Sequence, residues 1–159
     1  MAPNLVFGGN GIGKTDDGFV CTWDTPEKLQ ELLALLKKLN ILEIDSAAGY
    51  PIAAKCPNAW NTETLLGQVR AVDQGFIIDT KVAYFVKGNQ LGAANIGSSL
   101  ARSLELLQAK QVRTLYNHAM DKQTPLEETA LAFHEQFKAG GCERVSIAPE
   151  VFSDKLRSY

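Results

Sequence analysis

The sequence contains few of the features that indicate a metal centre, a disulfide-stabilised fold or a membrane segment. Its 159 residues include three cysteines, Cys21, Cys56 and Cys142, which are far apart and form no CxxC pair or Cys/His cluster. Neither a zinc site nor a disulfide framework is favoured, and a reducing, cytoplasmic setting is the simplest interpretation. No apolar run approaches the ~20 residues of a membrane span, and the run near the N-terminus is too short for a signal peptide.

An excess of one charge is also missing. The formal net charge is -2, and charged residues make up 21% of the chain. The clustered Lys and Arg residues that would indicate a nucleic-acid partner are not present. The apolar share of 45% is ordinary for a globular protein, and a chain of this length can bury a substantial core. We therefore expect a single domain with no nucleic-acid or membrane partner.

Short β-rich runs alternate with amphipathic helical runs along the whole chain. Strands are predicted near residues 5–7, 41–45, 76–81, 112–117 and 144–147. The first helix has Thr25 as its expected N-cap and Pro26 at its first position. Its leucines at positions 29, 32, 33, 36 and 39 fall on one face at helical spacing. The four βα units and a fifth strand predict an α/β fold, with a parallel sheet covered by helices. The sheet is either open and doubly wound or part of an eight-unit barrel, for which a full copy needs about 250 residues.

The glycine-rich segment after the first strand matches a phosphate-loop pattern. Residues 8–15 read GGNGIGKT, from Gly8 to Thr15, and satisfy G-x-x-x-x-G-K-[ST]. In a nucleotide-binding protein, Lys14 would contact the terminal phosphates and Thr15 a magnesium ion. Such a loop requires a helix that begins at the lysine, whereas turn-like residues and Pro26 follow here. We therefore prefer a plain glycine-rich loop and keep the phosphate loop as the alternative.

A second set of candidate residues is dispersed over three predicted strand ends. Asp45 ends the second strand, Tyr50 follows it in the loop, Lys81 ends the third strand and His118 follows the fourth. Each of them alone has an ordinary structural explanation, such as a helix cap or a surface lysine. Because the carboxyl ends of parallel strands share one edge of the sheet, where active sites are built, we expect the four side chains to converge.

The segments around these residues resemble the aldo-keto reductase family. IDSAAGY at residues 44–50 resembles the family's D-T-A-x-x-Y, and TETLLG at 62–67 its S-E-x-x-L-G. DTKV at 79–82 resembles the strand that ends in T-K, and LYNHAMD at 115–121 is similar to L-Y-x-H-x-x-D. TPLEET at 124–129 looks like the family's next helix start, and residues 124–127 have the pattern of a capping box. The order and spacing agree over nearly the whole chain, with the aflatoxin-aldehyde-reductase-like group as the most similar branch.

The resemblance implies a partial (β/α)8 TIM barrel that reduces aldehydes and ketones with NADP(H) and without a metal. It implies that Tyr50 protonates the carbonyl oxygen, that cationic Lys81 makes this phenol a stronger acid, and that Asp45 holds Lys81 and contacts the cofactor. His118 would orient the substrate carbonyl. Trp23, in a loop after a strand, is equally consistent with a substrate pocket and with packing.

The resemblance also implies that part of the cofactor site is missing. Residues 1–159 correspond to the N-terminal part of an NADP-dependent oxidoreductase domain, so we expect a truncated chain, a half-barrel that forms a homodimer, or a degenerate, non-catalytic scaffold. Ala148 and Pro149 stand where the family has a Ser-Asn pair that binds the nicotinamide, and Pro51 replaces the usual glycine after the tyrosine. Because the family's phosphate contacts come from the later barrel, we expect weak or no NADPH binding by this chain alone.

Overall fold

The computed structural model describes residues 3–15, 21–51, 62–83, 91–119 and 121–147. Strands and helices alternate as the sequence predicts. The strands are β1 (Val6–Gly8), β2 (Glu43–Asp45), β3 (Ile77–Lys81), β4 (Val112–Tyr116) and β5 (Cys142–Ser146). The helices between them are α1 (Pro26–Lys38), α2 (Thr62–Gln68), α3 (Ala93–Leu107) and α4 (Leu126–Lys138). A single 3-10 turn, Gly9–Gly11, follows β1.

The sheet order distinguishes between the two architectures that the alternation leaves open. The five strands pair in parallel in the order β1-β2-β3-β4-β5, which is also their order along the chain. A doubly wound sheet reverses its strand order at a switch point, and no reversal occurs among these five strands. The consecutive order is that of a (β/α) barrel, of which the chain forms a partial sheet with β1 and β5 at its edges.

The helices cover one face of the sheet and leave the other face accessible. Ile44 and Ile78 are partners in the register and pack into the core beneath the helices. Glu43, the residue before Ile44, points to the opposite face because side chains alternate along a strand. Its register partners Val6 and Ile77 are 49% and 41% exposed. This second face, called the open face below, carries two of the candidate residues, Asp45 and Lys81.

Helix α1 follows its predicted pattern except at its end. Thr25 is the N-cap, as predicted, and its hydroxyl accepts a hydrogen bond from the backbone N–H of Lys28 at 3.3 Å. The leucines at positions 29, 32, 33 and 36 are buried. Leu39, which belongs to the same predicted apolar face, is 58% exposed. It lies in the C-cap position, where the backbone leaves the helical path, so the periodicity no longer directs its side chain inward.

The predicted capping box at residues 124–127 does not form. Helix α4 begins at Leu126 with Pro125 as its cap and has no side-chain hydrogen bond there. The Thr124 hydroxyl donates instead to the carboxylate of Asp121. That carboxylate also accepts the backbone N–H groups of Gln123 and Leu91, so it ties the loop after β4 to the start of the α3 region. No helix in the described part of the chain is long and apolar enough to cross a bilayer.

Candidate active site

The four candidate residues lie at the carboxyl edge of the sheet. Asp45 and Lys81 are the last residues of β2 and β3, and His118 follows β4 by two residues. The chain after β2 continues to bond to β3, since the Ser46 N–H donates to Asp79 O at 2.8 Å and the Ala48 N–H to Lys81 O at 3.0 Å. This extension carries the loop back across the end of β3, which brings Tyr50 over Lys81.

Lys81 is the residue that joins the group. Its Nζ donates to Asp45 Oδ1 at 2.6 Å and to the backbone oxygen of Ser46 at 2.7 Å. The same Nζ lies 4.7 Å from the centre of the Tyr50 ring. The lysine side chain is 16% exposed and that of Asp45 36%. The ammonium group is therefore fixed between a carboxylate and a phenol ring at the rim of the site.

His118 completes the group from the neighbouring strand. Its ring centre lies 5.5 Å from that of Tyr50, and the two rings meet edge to face at 83°. Burial, together with the positive charge of Lys81, lowers the pKa of His118 to about 4, although the Asp45 carboxylate acts in the opposite direction. The imidazole is therefore neutral at neutral pH. A neutral imidazole beside a phenol can hydrogen-bond a polar substrate, but it does not supply a second cation.

A concavity of about 560 Å³ on the open face includes part of this group. It is lined by Gly8, Asp45, Asp79, Lys81, Arg113 and Tyr116, among others. The Lys81 ammonium lies 6.0 Å from the centre of the Tyr116 ring, and both residues line this concavity. The space is wide and open because a single layer of strands forms its floor.

Sequence reasoning missed the ion-pair cluster that forms this floor. The guanidinium of Arg113 binds both carboxylate oxygens of Asp79, with Nε at 2.9 Å from Oδ1, and Nη1 lies 2.6 Å from Glu43 Oε2. Burial alone would raise the pKa of Asp79, but hydrogen bonds from Arg113 and Thr114 outweigh it and hold the pKa below its usual value. The sequence did contain a signal for this cluster. Charged residues occur at alternate positions of two strands, at Glu43 and Asp45 and again at Asp79 and Lys81, and such spacing places each pair on one face of its strand.

Trp23, the other candidate for substrate binding, lies against the turn that follows β1, where its backbone N–H donates to Gly11 O at 3.4 Å. It forms an isolated bridge with Ile12 and packs edge to face against Phe7, with ring centres 5.3 Å apart. It also borders a second depression together with Leu32 and Leu35 of α1. The described residues that line this depression do not include the four candidates, and a role of Trp23 in substrate binding stays a prediction.

The glycine-rich segment lacks the geometry of a phosphate loop. A helix should start at Lys14 in such a loop, but residues 13–15 are not helical and α1 begins only at Pro26. Gly9 approaches the end of β2, where an added Cβ would lie 3.0 Å from Asp45 O. Glycine at this position therefore allows the turn to pack against the strand that carries Asp45.

Three further expectations concern Ala148 and Pro149, Pro51, and the absence of a metal site. Ala148 and Pro149, the replacements for the family's Ser-Asn pair, lie outside the described residues. Pro51 is buried directly after Tyr50. Among residues 3–15, 21–51, 62–83, 91–119 and 121–147, no group of three or more His, Cys, Asp or Glu side chains is arranged to hold a metal ion.

Comparisons with known proteins identify relatives along nearly the whole chain. The model of the Aldo/keto reductase family matches residues 4–153. Oxidoreductase sirO from Leptosphaeria maculans is 31% identical over 149 residues, which cover 92% of this chain and 43% of sirO. The thermostable aldo-keto reductase Tm1743, solved with the inhibitor epalrestat, superposes with a TM-score of 0.72 at 25% identity, over 92% of this chain and 49% of that one.

A third relative agrees in fold. The holo form of the aldo-keto reductase AKR11C1 from Bacillus halodurans superposes with a TM-score of 0.68 at 23% identity, over 97% of this chain and 49% of that one. The chain thus spans about half the length, or less, of the relatives it matches.

Proposed function

Because the chain belongs to the aldo/keto reductase family, we propose that it supplies the acid–base side of an NADP(H)-dependent reduction of small aldehydes or ketones. The observation that carries the proposal is the position of the Lys81 ammonium, 2.6 Å from Asp45 Oδ1 and 4.7 Å from the centre of the Tyr50 ring. This arrangement joins a proton donor, a cation and an anchoring carboxylate at the edge of the sheet where barrel enzymes place their active sites.

Tyr50 is the proposed proton donor. An isolated phenol is a weak acid at neutral pH, so proton transfer to a carbonyl oxygen needs a group that stabilises the phenolate left behind. The Lys81 ammonium is that group, since a cation close to an ionisable side chain favours its anionic form. Asp45 keeps the ammonium in place through the 2.6 Å hydrogen bond, and Ser46 O contributes the 2.7 Å bond.

His118 is proposed to orient the substrate. The imidazole is neutral near neutral pH, because burial and the Lys81 charge lower its pKa to about 4. A neutral ring can donate one hydrogen bond to a carbonyl oxygen without competing with Tyr50 as the acid. Its edge-to-face contact with the Tyr50 ring, at 5.5 Å between centres, supports a role in which both side chains contact the same substrate.

The chemistry of these side chains fits a nicotinamide partner. A carboxylate, an ammonium, a phenol and an imidazole exchange protons and hydrogen bonds, and none of them can deliver a hydride. The nicotinamide supplies the hydride when it is bound. Asp45, whose side chain is 36% exposed, borders the concavity beside Gly8 and would contact the cofactor there. The choice of NADP(H), the cytoplasmic setting and the aflatoxin-aldehyde-reductase-like branch remain parts of the proposal.

Turnover by the 159-residue chain tests the proposal. Purified protein is supplied with NADPH and an aromatic aldehyde, and the loss of NADPH absorbance is followed as the NADPH concentration is raised. We expect slow turnover with a high Michaelis constant for NADPH, because the family's phosphate contacts come from the later barrel. Size-exclusion fractions are assayed separately, and activity confined to a dimer would indicate that two copies complete one site.

The variant Tyr50→Phe decides whether the proposed donor carries the reaction. It removes one oxygen and keeps the ring, and we expect turnover to fall about 10²- to 10⁴-fold, the usual contribution of a general acid. Tyr116→Phe is the matched control, since Tyr116 borders the same concavity but lies farther from Lys81, at 6.0 Å. Equal losses in the two variants, or no turnover by the unaltered chain at saturating NADPH, would contradict the proposal.

A further inference from the structure

Lys81 has two carboxylates on its own face of the sheet. Asp45 and Asp79 are Cα partners in neighbouring strands, and Asp79 precedes Lys81 by two residues on β3. Because side chains alternate along a strand, all three leave the sheet on the open face, and all three border the same concavity. The structure shows the lysine bonded to Asp45, at 2.6 Å. A lysine ammonium is a point charge on a flexible stem and could reach either carboxylate. Some other contact must therefore favour Asp45 over Asp79 as its partner.

Arg113 already occupies the competing carboxylate. Its Nε donates to Asp79 Oδ1 at 2.9 Å, and its Nη2 contacts Asp79 Oδ2, which makes the pair bidentate. The backbone N–H of Thr114 adds a bond to Asp79 Oδ1 at 2.9 Å. A planar guanidinium matches a carboxylate in this geometry better than a lysine can. Asp79 is 3% exposed, so water does little to weaken this pair.

We propose that Arg113 is a positioning residue that reserves Lys81 for Asp45 and Tyr50 by keeping Asp79 occupied. This inference rests on the proposed function for its catalytic consequence, but its structural part concerns only the partner that Lys81 selects. Without the guanidinium, Asp79 is a buried carboxylate that has lost its cation, and such a group strongly attracts a replacement. The Lys81 ammonium then turns back along β3 toward Asp79 and leaves the Tyr50 ring.

Glu43 provides the internal comparison. It is the second partner of Arg113, with Nη1 2.6 Å from Oε2, and it also loses its cation when Arg113 is replaced. In the register, however, Glu43 pairs with Ile77, four residues before Lys81, whereas Asp79 is only two residues before it. At about 3.3 Å per residue along a strand, the Cα of Glu43 is therefore farther from Lys81 than the Cα of Asp79, by up to the length of two residues. The loss of Arg113 should therefore redirect Lys81 to Asp79 and not to Glu43.

Nuclear magnetic resonance of the lysine ammonium tests the choice of partner directly. With ¹⁵N-lysine and ¹³C-aspartate, a scalar coupling across the hydrogen bond joins Lys81 Nζ to the carboxylate carbon it contacts. We expect the coupling to Asp45 in the unaltered chain and to Asp79 in Arg113→Met. It should return to Asp45 in Arg113→Met/Asp79→Asn, but not in Arg113→Met/Glu43→Gln, which also removes one carboxylate charge. Coupling that stays with Asp45 in Arg113→Met overturns the inference.

Two further points keep the test decisive. Arg113→Lys retains a cation without the bidentate fork, so it serves if Arg113→Met does not fold, and a coupling divided between Asp45 and Asp79 is expected. Arg144 is another cation at this concavity, with its Nε donating to Thr114 Oγ1 at 2.8 Å. If Arg144 turned to Asp79 in place of Lys81, the Lys81–Asp45 coupling would persist and the inference would be wrong.

Turnover provides the catalytic readout. We expect kcat to fall about 10- to 100-fold in Arg113→Met, as misplacement of a catalytic group does, with a smaller change in the KM for aldehyde. The Asp79→Asn double variant should recover kcat, whereas the Glu43→Gln double variant should not. A purely structural role predicts equal recovery in both. If the unaltered chain has no turnover, the proposed function fails, while the coupling experiment still decides the role of Arg113.

Discussion

The two faces of the sheet differ in composition, although the same strands form both. Toward the helices, Ile44 and Ile78 are buried in the apolar core. Toward the open face, the next residues on these strands are Asp45 and Asp79, both charged and engaged in ion pairs. Apolar burial dominates stability, whereas charged groups in a cleft are typical of functional sites. The period of two along a strand therefore separates stability from chemistry, and substitutions on either face should affect one far more than the other.

The largest effect on activity is expected from Lys81→Met on the open face. The change removes the ammonium that the proposed mechanism places beside the Tyr50 proton donor, so turnover should fall about 10²- to 10⁴-fold. The free energy of unfolding should change by no more than about 1 kcal/mol, because the Lys81–Asp45 pair is partly exposed and exposed pairs contribute little. NADPH-dependent aldehyde reduction and urea denaturation measure the two quantities. A loss of stability that accounts for the loss of turnover would erase the proposed difference between the faces.

The opposite result is expected from Leu33→Ala beneath the helices. Leu33 is fully buried, so the cavity should lower the free energy of unfolding by about 2–5 kcal/mol. Turnover per folded molecule should be unchanged, because Leu33 lies on α1 and outside the proposed site. Leu39→Ala, at the C-cap of the same helix and with 58% exposure, is the matched control and should change stability by at most about 0.5 kcal/mol. Equal destabilisation by both substitutions would contradict the packing described for α1.

Histidine titration sharpens the comparison at the rim of the site. Burial and Lys81 lower the pKa of His118 to about 4, so the fold favours the neutral ring. Its contribution to stability is complete above its unfolded pKa of 6.5 and is lost as pH falls through about 4, by up to about 3 kcal/mol. Proton resonances of the two histidines can be followed in one titration, and the exposed His134 is assigned with His134→Gln. A His118 midpoint near that of a free imidazole would contradict the described burial.

A smaller effect is expected from Glu63, a carboxyl group on the helix side. It is 3% exposed and accepts a hydrogen bond from Thr80 Oγ1 at 2.5 Å. Burial raises its pKa above 4.5, against the hydrogen bonds from Thr80 and Ser103 and the charges of Arg102 and Lys81. Its stabilising contribution is therefore present below about pH 4.5 and is lost as pH rises through the raised pKa.

Glu63→Gln removes this titration and keeps an acceptor for Thr80. The difference in unfolding free energy between the unaltered chain and Glu63→Gln should therefore change with pH above about 4.5 in favour of the variant. The exposed Glu105→Gln on α3 serves as the control and should show no comparable change. Parallel pH profiles for the unaltered chain and Glu63→Gln would show that the carboxyl group is not buried as described. Urea denaturation at several pH values provides the measurement.

The order and type of the elements were predictable because they depend on local patterns. The leucines of α1, the Thr25 cap and Pro26 predict a helix start that the structure confirms. Predictions that needed a specific contact fared less well. The capping box at Thr124 looked complete in sequence, but the threonine hydroxyl binds Asp121, three residues before it. Both alternatives are local, so the motif alone does not decide which partner the side chain selects, and the conformation of the folded loop does.

The sequence by itself determined the alternation of strands and helices, the placement of Asp45, Lys81 and His118 at strand ends, and the family resemblance. These depend on periodicity and on residue types at short spacing. Only the tertiary structure decided the consecutive sheet order, the passage of the loop that carries Tyr50 across β3, and the capture of Asp79 by Arg113. Each of these joins residues that are 30 or more positions apart, such as Asp79 and Arg113, and their pairing depends on strand register and on competition between charges, which no local pattern records.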